Sequence, residues 1–346
     1  MPEPVLTPPP YAPHGGPDGS VAEHDFSVNS NPFGPPPELL AYLREIDVSS
    51  YPDPSYTAAR AAAAKFHGVS PKHVVIGGAA ELIYRLAACY LKPGRSVLVA
   101  SPSFGEYGRS AQLCGAQVHT CDVYAKGVEP DLKVFVRAVR KRRPTLVWLG
   151  QPNNPTGHAW SAEALAEVAA TCREHDALLI IDAAYHELSD HELSDATPPP
   201  DSAALFPLTK TFAVAGLRAG YALAPPVVAE TLRRVAPPWP VSTPAAATVS
   251  WCRSHAGAAF VRETVPEVLR LRRTLQTGLR ELGFEVWEGR SSFFLAEVGD
   301  AGLFTARAKG AGFRVRDASS FGLPSCVRLA AQSREANEKL LRWLAC

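Results

Sequence analysis

This sequence carries no surplus of charge of either sign, since its 346 residues hold 35 lysines and arginines against 34 acidic residues. That balance argues against nucleic acid as the main partner, which would need clustered positive charge. No uninterrupted apolar run reaches the length of a membrane-spanning helix, so no membrane association is expected. The opening, Met1-Pro-Glu-Pro-Val-Leu-Thr-Pro-Pro-Pro10, lacks a basic stretch followed by an apolar core, which predicts no signal peptide. Paired cysteines are missing too. Cys89, Cys114, Cys121, Cys172, Cys252, Cys326 and Cys346 form no CxxC motif and no dense framework. Scattered thiols of this kind suit a reducing cytoplasm and buried positions, and no metal-ligand set is assigned. What is present is ordinary for a soluble globular protein: 46% hydrophobic and 20% charged residues, in a chain long enough for two domains.

Residues 1–37 are rich in proline and glycine and read as an extended arm. Pro37 opens a helix to about Glu45, and Tyr51-Pro-Asp-Pro54 is a turn. A helix from Tyr56 to His67 ends at Gly68. From Val74 strands and helices alternate. Strands are predicted at Val74–Ile76, Ser96–Ala100, Gln117–Val123, Thr145–Leu149, Ala177–Ile181 and Ala203–Leu205. Helices between them predict a mostly parallel sheet covered on both faces. Beyond Tyr221 come helices at about Val227–Val235, Thr243–Ser254 and Ala256–Leu282, the last long enough to bridge two domains. The remainder reads as a small α+β unit, with strands at Phe284–Trp287, Phe293–Val298, Phe313–Arg316 and Cys326–Ala330. The peptide Glu187-Leu-Ser-Asp190 recurs as Glu192-Leu-Ser-Asp195, a duplication suited to a surface loop. The domains expected are an arm, 1–37, a large domain, 38–255, and a bridging helix with a small domain, 256–346.

The stretch Thr209-Lys-Thr-Phe-Ala-Val-Ala-Gly-Leu-Arg218 places a lysine beside a hydroxyl and an arginine eight residues on. A lysine in apolar surroundings loses its proton and condenses with carbonyl compounds, while arginine and hydroxyl suit a phosphate. Those are the needs of pyridoxal 5'-phosphate (PLP) chemistry, although a solvated lysine–arginine pair reads the same way in isolation. Other candidates fall just after predicted strands, where open α/β sheets place ligands. Asp182 suits a pyridine nitrogen, or an N-cap. Tyr185 and Asn154 suit a ring oxygen, or an interface and a turn. Gly78 and Ala79 open a helix whose free amides suit a phosphate, or simply allow close packing. Phe104 suits the face of an aromatic ring, or the core.

Together these residues resemble fold-type I PLP enzymes, in the branch containing histidinol-phosphate aminotransferase and L-threonine-O-3-phosphate decarboxylase. The similarity covers about residues 12 to 343, and Asn153-Asn-Pro-Thr-Gly157 and the lysine motif carry it most strongly. The resemblance implies an α/β fold of PLP-dependent transferase type I, with a mostly parallel sheet in a large domain and a small α+β domain. It implies that Lys210 holds the cofactor, that Asp182 faces its pyridine nitrogen, and that Asn154 and Tyr185 contact its 3'-oxygen. Phe104 would stack on the ring, with Gly78, Ala79, Thr209 and Arg218 at the phosphate. It also implies a homodimer with shared active sites, in which Tyr51 reaches the neighbouring cofactor's phosphate. The implied substrate is a small phosphorylated amino acid, with Arg328 at its carboxylate, Arg316 and His14 at its phosphate, and Asn31 nearby.

The two ends of the chain, including His14-Gly-Gly16, Asn31-Pro-Phe-Gly-Pro-Pro-Pro37 and Arg316-Asp-Ala-Ser-Ser-Phe321, look more like the decarboxylase. The expected reaction is therefore decarboxylation of L-threonine O-3-phosphate to (R)-1-aminopropan-2-yl phosphate in cobalamin biosynthesis. The alternatives are a histidinol-phosphate or related aminotransferase using 2-oxoglutarate and, more distantly, a non-catalytic PLP-binding regulator. The chain departs from the family pattern at Gly77, at Thr209 and at Gln332, where decarboxylases often have a second basic residue.

Overall fold

The computed structural model describes residues 9–11, 14–16, 19, 21–190 and 198–346. The second Glu-Leu-Ser-Asp copy and the first eight residues lie outside them. In chain order the first half comprises β1 (His24–Asp25), α1 (Pro37–Arg44), α2 (Thr57–His67), β2 (Val74–Ile76), α3 (Ala79–Tyr90), β3 (Ser96–Ser101), α4 (Glu106–Leu113), β4 (Gln117–Asp122), α5 (Leu132–Arg142), β5 (Leu146–Gly150), α6 (Ala162–Glu174) and β6 (Leu178–Asp182). The second half comprises β7 (Ala203–Pro207), β8 (Gly220–Leu223), α7 (Pro226–Val235), α8 (Thr243–Cys252), α9 (His255–Glu281), β9 (Phe293–Glu297), α10 (Ala301–Gly310), β10 (Phe313–Arg314), β11 (Arg316–Asp317), β12 (Cys326–Ala330) and α11 (Arg334–Leu344).

Strands β3, β5, β6 and β7 read as continuous apolar runs, and such a run needs a core on each side because successive side chains point to opposite faces. Both cores exist. Along β5, Val147 and Leu149 enter a core shared with α2, α5, α6 and α8, while Leu146 and Trp148 enter one shared with α3, α4 and α7. β3, β6 and β7 divide their side chains in the same way. The seven-stranded sheet runs in the order β2-β8-β7-β6-β5-β3-β4. β8 is antiparallel to both of its neighbours, and the other six strands share one direction.

A second sheet, β11-β12-β9, is antiparallel. Its core includes Phe294, Val327 and Leu329, Leu275 and Leu279 from α9, and Leu340 from α11. Phe26 joins this core from just after β1, which pairs in parallel with β10, and its carbonyl accepts from Ala330 N. α9, at 27 residues, links the two halves: its Val265 and Leu269 pack on Leu188, and its Leu275 and Leu279 in the second core.

Three expectations for elements are corrected. β8 falls where no strand was predicted, because its four buried residues follow the lysine motif without polar alternation to mark them. Phe284–Trp287 forms a single bridge, Val286 to Ala296, and not a strand. The chain leaves the β9 edge there so that Gly289 packs on Gly157, with a Cβ position 3.1 Å from the Gly157 Cα. Phe313–Arg316 is not one strand: β10 pairs with β1, β11 pairs with β12, and Val315 is the joint between them.

Candidate active site

Five strands that run in one direction, β2, β3, β5, β6 and β7, end at the same edge of the large sheet. The segments that follow them supply Ala79, Phe104, Asn154, Tyr185, Thr209 and Lys210, and β6 itself supplies Asp182. All seven line one cavity of about 530 Å³, together with Arg218, His14, Arg316 and Arg328. Strand ends gather there because the connecting segments need not satisfy the sheet ladder and are free to present side chains.

Lys210 sits on a loop pinned at both sides by Leu208 and Phe212, which are fully buried. Its carbonyl accepts from Asn31 N at 2.9 Å and from Ala213 N at 3.3 Å. Burial, reinforced by the charges of Arg328 and Arg218, pulls its amine down to about 8. At pH 7 about a tenth of this lysine is then unprotonated, far more than of an ordinary lysine.

Asp182 is buried, and burial pushes its carboxyl up from the usual range. Tyr107 donates to its Oδ2 at 2.8 Å and the Ala184 N–H to its Oδ1 at 3.0 Å, and both oppose that rise. Tyr107 is itself fixed by stacking on Trp148, with ring centroids 4.6 Å apart and planes 4° from parallel. Tyr185 is buried, its hydroxyl accepts from Asn29 Nδ2 at 3.3 Å, and burial raises it above its ordinary value. Asn153 braces the loop carrying Asn154, accepting from Ser103 Oγ and donating to Pro102 O and Thr156 Oγ1.

At α3 no side chain caps the N-terminus. A Cβ on Gly78 would lie 2.9 Å from the Arg218 carbonyl oxygen, so only glycine lets the start of α3 meet the Arg218 loop. The first residues of α3, Thr209 and Arg218 all line the same cavity.

The second sheet supplies two arginines. Arg316 and Arg328 are direct partners across the β11–β12 ladder. Arg328 donates to Asn154 Oδ1 at 2.5 Å and to Ser27 O at 2.6 Å, so it ties the small sheet to the large one and to the arm. Burial, with Arg316 adding to it, brings its guanidinium down to about 10. Arg316 donates to Asp317 O and Ser320 Oγ, and its guanidinium lies 5.1 Å from the Phe321 ring centroid. Like charges placed opposite each other cost stability, and an anion between them offsets that cost.

Three residues named from the sequence stand outside the cavity lining. Gly78 acts through its packing on Arg218. Asn31 is buried and spends its amide on Thr211 O and Thr264 Oγ1, with its own oxygen accepting from Phe33 N. It therefore braces the lysine loop. Tyr51 is 76% exposed and stacks on Trp239 at 4.2 Å. The sequence reading missed Tyr107, Asn29, Tyr84, Glu106 and Arg109. Tyr107 lies 75 residues from Asp182, and no local pattern signals that bond.

The family described as aminotransferase class I and II matches residues 23–344. A histidinol-phosphate aminotransferase of Haloferax volcanii is 34% identical over 312 residues, 88% of this chain and 84% of that protein. Histidinol-phosphate aminotransferase 2 of Archaeoglobus fulgidus is 31% identical over 339 residues, 96% of this chain and 94% of that one. A solved histidinol-phosphate aminotransferase from Sinorhizobium meliloti, in complex with pyridoxal-5'-phosphate, gives a TM-score of 0.85 at 23% identity, covering 94% of this chain and 91% of that one. An aspartate aminotransferase from Thermus thermophilus with maleate gives 0.83 at 24% identity, with coverage of 94% and 91%. These two likenesses establish a fold-type I architecture with a large and a smaller domain.

The relatives overturn the expected decarboxylation of L-threonine O-3-phosphate, and with it the lyase assignment and the place in cobalamin biosynthesis. The residues at the two ends of the chain misled because the same lysine, aspartate and ring contacts serve either reaction. Which bond breaks is set by how the substrate is oriented.

Proposed function

The chain belongs to the class I and II aminotransferase family, and from that premise we propose that it moves the amino group of histidinol phosphate to 2-oxoglutarate with pyridoxal 5'-phosphate as cofactor. The observation that carries the reading is the facing pair Arg316 and Arg328 above a floor that holds Lys210 and Asp182. One cavity must take a phosphorylated donor and a dicarboxylate acceptor in turn, and two adjacent forks of donors suit both anions.

The residues present fit the cofactor. The uncapped start of α3, Thr209 and Arg218 suit its phosphate, Phe104 its ring face, and Asn154 with Tyr185 its ring oxygen. A buried carboxylate at Asp182, with Tyr107 donating to it, suits its pyridine nitrogen. Bound there, the cofactor supplies a sink for negative charge at the substrate Cα. Lys210 Nζ, with its amine near pH 8, is poised to hold the cofactor's aldehyde and then to take the proton from Cα. Arg316 suits the phosphate of the donor and Arg328 a carboxylate of glutamate or 2-oxoglutarate, so each substrate in turn has an anion contact that orients its Cα toward Lys210.

The proposal extends to assembly and domains. Residues 1–37 serve as an arm, 38–255 as the cofactor-binding domain, and 256–346 as the substrate-gripping unit. Two chains pair so that Tyr51 reaches the phosphate held by its neighbour, a role its exposure permits. Purified protein with cofactor, histidinol phosphate and 2-oxoglutarate is expected to form glutamate, and Lys210→Ala to form none. Absence of glutamate with the parent protein would overturn the reading.

A further inference from the structure

Lys210, Arg218, Arg316 and Arg328 make the cavity positive on most sides, yet one wall presents a carboxylate. Glu106, the first residue of α4, is only 7% exposed and lines the same cavity. Its Oε2 accepts from the Tyr84 hydroxyl and lies 3.7 Å from Arg109 Nη1, while Arg109 also donates to Tyr84. Those contacts hold one oxygen. The other, Oε1, faces His14 Nε2 at 3.1 Å. The His14 ring packs on Phe104 as well, with centroids 5.5 Å apart and planes tilted 41°. Its side chain is 52% exposed and reaches the cavity lining from the N-terminal arm. An imidazole belonging to the chain itself thus occupies a niche made of a carboxylate oxygen and an aromatic face.

We propose that Glu106 Oε1 and Phe104 form the subsite for the imidazole ring of the amino donor, and that His14 stands in this subsite until the donor displaces it. The inference rests on the reading of the donor as histidinol phosphate. An imidazole N–H given to a buried carboxylate is a charge-assisted bond, stronger than one between neutral groups. A donor without that N–H forgoes the bond, so Glu106 sets specificity while Lys210 meets the amine and Arg316 the phosphate. His14 competes from within the chain, and an occupant of this kind lowers apparent donor affinity by the fraction of time the niche is filled.

Two variants and one probe test this on the holoenzyme. In Glu106→Gln, the ratio of kcat/KM for histidinol phosphate to that for glutamate is expected to fall about tenfold or more. In His14→Ala, the KM for histidinol phosphate is expected to fall, because the internal competitor is gone. A ratio unchanged within about twofold, or a rise in KM in His14→Ala, overturns the proposal. The probe is 3-(imidazol-4-yl)propyl phosphate, which lacks the amine, with binding measured by calorimetry. If the parent protein binds it about tenfold more tightly than Glu106→Gln does, the subsite stands even where histidinol phosphate is not turned over, and only the donor assignment fails. Equal binding by the two overturns the subsite and leaves transamination intact.

Discussion

Lys210 shows how one residue carries both a function and a cost. Burial and the neighbouring arginines hold its amine at about 8, whereas an unfolded lysine titrates near about 10.4. Between those two values the unfolded chain binds one more proton than the folded chain, so stability rises with pH across that window. Below about pH 8 the folded protein bears the full cost of a charged amine in poorly solvated surroundings. Without cofactor, Lys210→Met should therefore melt at a higher temperature than the parent protein at pH 7, with the gap closing toward pH 10. Thermal unfolding at the two pH values checks this, and an equal gap at both would refute the linkage. Asp182 presents the complementary case, where burial opposes the charge and the bonds from Tyr107 and Ala184 offset that only in part. Tyr107→Phe keeps the ring on Trp148 and removes the donor. Cofactor affinity, measured by equilibrium dialysis, is expected to weaken by about tenfold, the worth of one bond to a charged group.

Among the elements, α3 and the loop after β7 act as a pair. Gly78 lets the first turn of α3 approach the Arg218 backbone, and the phosphate site proposed there depends on that close contact. Gly78→Ala brings a methyl to within 2.9 Å of the Arg218 carbonyl, a backbone atom with little freedom to move. Overpacking of this sort costs about 1–3 kcal/mol. The variant is expected to lose cofactor on gel filtration while its far-ultraviolet dichroism stays unchanged, and full cofactor retention would contradict the role given to the glycine. The β11–β12 ladder is the other functional element, because its register alone sets Arg316 opposite Arg328. A slip of one residue would turn one of the two guanidiniums to the opposite face.

At the scale of the whole molecule, the arm joins the small sheet to the active site. Phe26 is fully buried in the second core, and the next residue offers its carbonyl to Arg328. Phe26→Ala should cost about 3–5 kcal/mol in that core and, by loosening Ser27, raise the KM for the carboxylate substrate. Urea unfolding and half-reaction kinetics with glutamate check the two consequences separately. A loss of stability with unchanged KM would show that the arm supports the fold without positioning Arg328. Among the described residues no helix is long and apolar enough to cross a membrane, and no group of three His, Cys, Asp or Glu side chains is placed to hold a metal ion.

By itself the sequence determined the alternation of strands and helices, because strands buried on both faces must read as apolar runs and helix ends need their glycines and prolines. It also marked Lys210, Asp182, Asn154 and Phe104, which lie at or just after strand ends whatever the partners of those strands are. The tertiary structure alone decided the reversed direction of β8, the bond from Tyr107 to Asp182, the pairing of Arg316 with Arg328, and the meeting of His14 with Glu106. The physical reason is range. Periodicity and caps arise between residues a few positions apart, while His14 and Glu106 stand 92 residues apart and β8 pairs with β2 across a still longer stretch of chain, through a register that no local pattern encodes.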